Sequence, residues 1–216
     1  MDSYSKGYID ALVDAQSHID GYFFLEESLS PALLDAMQKV CPITPNQDGA
    51  ETPAYVYSHY FLGRRATALA RIDLLNKLSQ NFDVTVYTHA DCKDILPTAI
   101  YGGKIDYYDT MPTVFQHSKL NLNITLKTIQ TGIPLRAWDI LGCGGFLLTN
   151  FQQELCDFFI PGEDFVYYES PADAIEKAAY FLSHDRERQE ITHNAFEKIA
   201  ASHTFHHRVQ SMFEII

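Results

Sequence analysis

The stretch from Gly132 to Asp139 carries residue types that suit an anionic ligand containing a sugar. Gly132-Ile133-Pro134 leads into a predicted helix with Arg136 in its first turn. A helix N-terminus has free N–H groups and partial positive charge, and an arginine adds a fork of donors for phosphate oxygens. Asp139 follows about one turn later, where a carboxylate can accept hydrogen bonds from sugar hydroxyls. The spacing fits an ion pair between Arg136 and Asp139 equally well, so both interpretations stay open here.

A glycine cluster, Gly142-Cys143-Gly144-Gly145, lies between this helix and the next predicted strand. It lacks the GxxxxGK[ST] spacing of a phosphate loop, and its glycines precede a strand, whereas phosphate-loop glycines open a helix. The pattern favours a helix C-cap and a tight turn, in which glycine adopts a positive φ. Because glycine also lets a backbone approach a ligand closely, Gly144 and Gly145 stay candidate ligand contacts.

The histidines and cysteines do not predict metal or nucleophile chemistry. His203, His206 and His207 are close in sequence but lack an evident third ligand for a metal. No two of the four cysteines form a CxxC motif, and no nucleophile-elbow signature occurs. We therefore expect no metal, and we predict the cysteines to be small buried residues in a reducing compartment.

Composition and charge restrict the class of protein. The chain has 216 residues, 46% of them hydrophobic, which excludes a disordered chain and favours one domain, or a domain with an appendage. The net charge of -12 argues against nucleic-acid binding, although residues 61–150 hold nine basic and seven acidic residues, a local charge of +2. This middle segment could face an anionic ligand. The N-terminus resembles no secretory leader and no apolar run reaches membrane-spanning length, so we expect a cytoplasmic protein.

The hydrophobic pattern predicts helices alternating with short strands, which indicates an α/β fold with a parallel sheet. The chain begins with two predicted helices within residues 4–40, followed by a linker over 41–54 and a helix over 65–80. The predicted strands cover 84–87, 105–107, 120–124, 146–149 and 165–168, and the later helices cover 111–117, 134–141, 151–158, 171–182, 186–202 and a segment from about 204. Ser170-Pro171 with Asp173 resembles a capping box.

Two stretches, 118–125 and 132–150, resemble the donor-binding half of GT-B glycosyltransferases of group 1. The match is most similar to spore maturation proteins of the CgeB type, and it extends more loosely from about residue 5 to the end. The resemblance implies a Rossmann-like domain, predicted over 53–216, that binds a nucleotide-diphosphate sugar, preceded by a helical segment and linker over 1–52.

The resemblance also implies residue roles. Asp139 stands where related enzymes carry a ribose-binding glutamate, and Arg136, Lys119 and the backbone from Gly132 would stabilise the diphosphate without a metal. Arg64 could join from a loop before the long helix, although a solvated helix start explains it as well. Asn123 and Thr125 could bind the sugar or base, or satisfy loop backbone.

The resemblance covers only one of the two domains that GT-B enzymes use. Those enzymes react in the cleft between two Rossmann domains, so we expect a separate N-terminal domain or partner subunit to supply the acceptor site. The alternative is a non-catalytic nucleotide-sugar-binding or interaction module. One of the two acids found in many retaining enzymes has no clear counterpart, and Thr128 and Thr131 are the residues nearest to its position. The catalytic residues, the donor and the stereochemistry therefore stay open.

Overall fold

A computed structural model describes residues 1–19, 21, 23–44 and 51–214. Its helices are α1 (Ser3–Ser17), α2 (Pro31–Val40), α3 (Pro53–Val56), α4 (Gly63–Ser79), α5 (Met111–His117), α6 (Leu135–Gly142), α7 (Pro171–Ser183), α8 (Asp185–Ser202) and α9 (Phe205–Glu214). A π-helical turn (Tyr57–Leu62) joins α3 to α4, and a 3-10 helix covers Gln153–Asp157. The strands are β1 (Thr85–Tyr87), β2 (Ile100–Gly103), β3 (Asn121–Asn123), β4 (Leu147–Asn150) and β5 (Val166–Tyr168).

All strand pairs are parallel. β1 pairs with β2, and β4 lies between β3 and β5 in a second sheet. Parallel neighbours need crossover connections, and helices supply most of them here. The α/β class with parallel strands flanked by helices, as expected for a Rossmann-like glycosyltransferase fold, is confirmed.

The described residues form two compact units. The first unit comprises 1–74 and 125–130, and the second comprises 75–124 and 131–216. This division differs from the domain boundary predicted after residue 52, which stays a prediction. Part of the predicted linker, residues 45–50, lies outside the described residues.

The first unit is helical and has its own apolar core. Its buried residues include Ile9, Val13, Phe23, Leu25, Leu29, Leu33, Met37, Tyr57, Leu62 and Ala66. Asp2 caps α1 and Ser30 caps α2, each by accepting a backbone N–H of the first turn. The amphipathic spacing that predicted two helices over 4–40 is confirmed.

The second unit packs α5, α6 and α8 around the three-stranded sheet. Its core contains Met111, Phe115, Ala137, Ile140, Leu141, Leu147, Leu155, Phe159, Phe165, Ala195 and Ile199. All four residues of β4 are buried, as expected for a central strand covered on both faces. The serine cap predicted at Ser170 is confirmed, because its hydroxyl accepts the N–H of Asp173, whereas the Asp173 carboxylate accepts the N–H of Glu169 and so does not complete a capping box.

The strand predicted over 105–107 was wrong. These residues form loop and turn, and the strand that pairs with β1 lies earlier, at Ile100–Gly103. The helix predicted over 65–80 is confirmed as α4, but the residues before it are helical from Pro53 onward, so Arg64 does not lie in a loop.

The prediction that all four cysteines are buried was also wrong. All are free thiols, but Cys41 and Cys156 are exposed.

Candidate functional site

The parallel sheet gives the second unit two chemically different edges. β3, β4 and β5 run in the same direction, so their amino ends share one edge and their carboxyl ends share the other. We call these the amino edge and the carboxyl edge. Ligands of open α/β sheets bind beyond the carboxyl ends of the strands. The position of each candidate residue along its strand or helix therefore decides at which edge it lies.

Helix α6 begins at the carboxyl edge, because it ends in the short turn that leads into the amino end of β4. Pro134 occupies its N-cap position and no side chain caps the helix. The N–H of Ala137 bonds back to the Pro134 carbonyl, which leaves the N–H groups of Leu135 and Arg136 at the front of the helix. Gly132, with φ of +99°, turns the chain into this helix and is exposed.

Arg136 is exposed and forms no ion pair with any carboxylate among the described residues. Its guanidinium lies over the Phe115 ring, 5.4 Å from the centroid, and contacts the Met111 sulfur. The alternative of an Arg136–Asp139 ion pair is therefore not what the structure shows. An unpaired guanidinium remains beside an uncapped helix N-terminus, where both favour an anion.

Asp139 is instead held by a tyrosine. The Tyr107 hydroxyl donates to Oδ2 of Asp139 at 2.7 Å. This hydrogen bond, together with burial and the negative charge of Asp139, raises the pKa of Tyr107 above its ordinary value. Tyr107 is therefore protonated and able to donate throughout the neutral range. The bond fixes the orientation of a half-buried carboxylate one turn from Arg136.

The sequence interpretation missed Tyr107, because residues 105–107 were predicted as a strand. Asp106 in fact makes a turn, since its Oδ1 accepts the N–H groups of Tyr108 and Asp109 at 2.8 Å. These two bonds lower the pKa of Asp106. Aspartate is a frequent turn former for this reason, and that preference was the available signal.

Asn123 ends β3 at the carboxyl edge but is engaged internally. It is buried, and its Nδ2 donates to the Thr149 hydroxyl at 2.9 Å on the neighbouring strand. The Tyr168 hydroxyl contacts the carbonyl of Asn123 at 3.5 Å. Asn123 thus links the ends of β3, β4 and β5 and stabilises the edge on which α6 lies.

The neighbouring helix α7 also begins at the carboxyl edge, but its N-terminus is satisfied within the chain. Besides the Ser170 cap, the Asp173 carboxylate accepts the N–H of Glu169 at 2.9 Å and the ammonium of Lys177 at 2.7 Å. Burial alone would raise the pKa of Asp173, but these bonds hold the pKa below its ordinary value. Helix α6, in contrast, has no side chain that caps its N-terminus.

Gly144 and Gly145 lie at the amino edge, in the turn after α6. Gly144 has φ of +71°, its N–H bonds to the Leu141 carbonyl, and the N–H of Gly145 bonds to the Ile140 carbonyl. This pattern is a Schellman motif, which confirms the predicted helix C-cap. Lys119 lies two residues before the start of β3 and so belongs to the amino edge as well. Gly144, Gly145 and Lys119 therefore lie at the opposite edge of the sheet from Arg136 and Asp139. Their ligand-binding role stays a prediction.

The remaining two candidates belong to the first unit. The Arg64 guanidinium lies over the Tyr60 ring, 5.6 Å from its centroid, and Thr125 is buried. Arg65 is paired with Asp10 at 2.8 Å. Ligand contact by Arg64 and Thr125 stays a prediction.

The histidines near the C-terminus do not form a metal site. In the described part of the chain, no group of three or more His, Cys, Asp or Glu side chains is arranged to hold a metal ion. His203 packs against Trp138, Phe158 and Phe159, and burial, together with the charges of Arg208 and His207, lowers its pKa. No helix within the described ranges has the length and apolar character needed to cross a membrane.

This combination, a parallel α/β sheet with an open helix N-terminus, arginine and carboxylate at its carboxyl edge, is typical of nucleotide-binding domains. The chain belongs to the glycosyl transferase-like family, whose model matches residues 65–214. The match covers the whole of the three-stranded sheet and α6, so it supports a role in glycosyl transfer. No curated protein matches the chain significantly.

Proposed function

We propose that the chain is the donor-binding half of a GT-B glycosyltransferase of the CgeB type, and that it binds a nucleotide-diphosphate sugar at the carboxyl edge. One observation carries the proposal: Arg136 has no carboxylate partner among the described residues and stands at the uncapped N-terminus of α6, beside Asp139. Family membership supports the reaction class, and this geometry supports the donor.

The chemistry is electrostatic. As the bond between the sugar and the diphosphate breaks, negative charge grows on the leaving diphosphate. Fixed N–H donors and a guanidinium stabilise that charge without reorganising, which lowers the barrier to transfer. The N–H groups of Leu135 and Arg136 and the Arg136 side chain supply these donors. We propose that they do so without a metal, so chelation with EDTA should leave nucleotide affinity unchanged.

Asp139 completes the donor site by accepting hydrogen bonds from the ribose hydroxyls. Tyr107 engages Oδ2, which leaves Oδ1 and the remaining lone pairs for the sugar. The acceptor is proposed to bind on a separate N-terminal domain or partner subunit, as in the enzymes that the chain resembles.

Titration calorimetry of the full chain with UDP, GDP, CDP and dTDP tests the donor site. At least one nucleotide should bind, and Arg136→Ala should weaken it by about tenfold or more, because a charge-assisted hydrogen bond is lost. Asp139→Ala should weaken it by about fivefold. Arg186→Ala is the charge-matched control, because Arg186 is exposed on α8 and its one ion pair among the described residues is with Glu190 at 3.8 Å.

If no nucleotide gives a binding signal, the donor site in this chain is refuted. Binding that is equally strong in both site variants and the control would place the nucleotide elsewhere. If a nucleotide binds but no sugar is transferred or hydrolysed, even with a supplied acceptor domain, the alternative of a non-catalytic binding module is favoured.

A further inference from the structure

A cavity lies at the amino edge, at the opposite edge of the sheet from the proposed donor site. Its volume is about 410 Å³, within the range of small-molecule sites. Three segments line it: the end of α5 with the residues before β3, the turn after α6, and the middle of α8. All belong to the second unit, so the cavity is formed within one compact body.

The lining of this cavity is basic. It includes Lys119, His117, His193 and Arg188, and none of its lining residues is acidic, although the whole chain carries 28 acids and 16 bases. A concave surface lined by one sign of charge concentrates ligands of the opposite charge. The cavity therefore favours an anionic ligand although the protein as a whole carries a net negative charge.

The polar groups of the lining differ in how far they are already engaged. Arg188 is used structurally, because it pairs with Asp185 at 2.7 Å and donates to the Phe181 carbonyl. His117 bonds through Nδ1 to the Thr113 carbonyl at 2.8 Å, which leaves Nε2. Lys119 and His193 form no ion pair or side-chain hydrogen bond with the described residues. Lys119 and His193 thus have their whole polar groups available to a ligand, whereas His117 keeps only Nε2.

The cavity is separate from Arg136. The two lie at opposite ends of α6, and the seven helical steps from Arg136 to Cys143 span about 10 Å along the axis. One phosphate group does not reach both ends. A phosphate held by Lys119 would therefore occupy a different site from one held by Arg136.

We propose that the cavity binds a phosphorylated small molecule, with Lys119 and His193 holding the phosphate. Lysine is a frequent point-charge partner of phosphate, and an imidazole adds a directional donor. Phe196 lines the same cavity and is 40% exposed, so it offers an apolar face to the remainder of the ligand. The site stands independently of the proposed donor site.

Titration of the full ¹⁵N-labelled chain with inorganic phosphate, followed by NMR, tests the cavity. The amides of Lys119, Gly144 and His193 should shift saturably. Lys119→Ala should raise the Kd by about tenfold, and His193→Ala by about threefold, because each removes a donor to a charged group. Both side chains are exposed, so the variants should keep the dispersed spectrum of the folded chain.

Two controls separate this cavity from other anion sites. Arg186→Ala removes the same charge from α8 outside the cavity and should leave the Kd within about twofold. Arg136→Ala should leave the shifts of Lys119 and His193 unchanged. The proposal is overturned if these amides do not respond to phosphate, or if Lys119→Ala and Arg186→Ala bind phosphate equally well.

Discussion

At the scale of single residues, the orientation of Asp139 depends on one hydroxyl. Tyr107 is 43% exposed, yet its oxygen donates to the Asp139 carboxylate at 2.7 Å. Asp139 is half-buried, and this hydrogen bond restrains the rotamer of its carboxylate. Tyr107 is therefore a positioning residue for the proposed ribose contact, and it does not itself need to touch the nucleotide.

Tyr107→Phe should weaken nucleoside diphosphate binding by about fivefold, because a hydrogen bond worth about 1 kcal/mol no longer orients Asp139. Pyrophosphate has no ribose, so its affinity should not change. Parallel calorimetric titrations with the two ligands measure the difference.

Tyr108→Phe is the matched control, since Tyr108 is 81% exposed and stacks edge-on against Tyr107 without contacting Asp139 through a hydrogen bond. Equal loss of nucleotide and pyrophosphate affinity in Tyr107→Phe would contradict a role through Asp139 and point to a general disturbance of the site.

The residues of this site differ in how well the sequence predicts that they lie together. Arg136 and Asp139 lie in one helical turn, so helix spacing alone brings them together. Tyr107 lies 32 residues earlier in the chain and reaches Asp139 only after the fold has formed. The Arg136–Asp139 ion pair was an open alternative because spacing does not show which partner a carboxylate selects.

At the scale of elements, the turn between α6 and β4 is a steric requirement for glycine. A Cβ on Gly145 would lie 2.8 Å from the Phe115 carbonyl oxygen, 3.1 Å from that of Ile140 and 2.7 Å from Nδ2 of Asn121. Two of these atoms belong to backbone and cannot rotate away. The glycine thus lets α5, α6 and β4 meet closely at the amino edge.

Gly145→Ala should therefore lower the free energy of unfolding by about 2–3 kcal/mol, as expected for overpacking in a tightly packed region. Urea denaturation followed by circular dichroism measures this change. Gly7→Ala is the control, because a Cβ at this helical position meets nothing within 4 Å and alanine favours a helix. An unchanged stability in Gly145→Ala would show that the turn relaxes easily.

Most helices were predictable because their caps and apolar spacing are local signals. β2 was missed because Gly102 and Gly103 have low strand propensity. The structure explains Gly102, since a Cβ there would lie 2.6 Å from the ring of Tyr87 on the paired strand. The helical segment before residue 63 was missed because its π-helical turn does not follow the helical period.

At the scale of the whole molecule, the sequence predicted the fold class but did not separate the two edges of the sheet. Lys119, Gly144 and Arg136 are close in a stretch of 26 residues, and the resemblance groups them into one site. The parallel register of β3 with β4 places Lys119 and Gly144 at the amino edge and Arg136 at the carboxyl edge. Pairing register is a long-range property, so no local pattern reveals it.

The parallel pairing of the described strands also determines which part of the second unit unfolds last. The described strands form no hairpins, so two of them pair only after the segment between them has crossed over. The stability of the sheet therefore depends on the helices that pack against it. Amide hydrogen exchange should be slowest at Leu148 and Thr149 of the buried central strand, and faster at Val86 in the two-stranded sheet. Equal rates at the two sheets would contradict this order. The amide protons with the slowest exchange would then lie in the middle of the sheet, between its two edges. Either proposed ligand could bind at its own edge while the central strand stays folded.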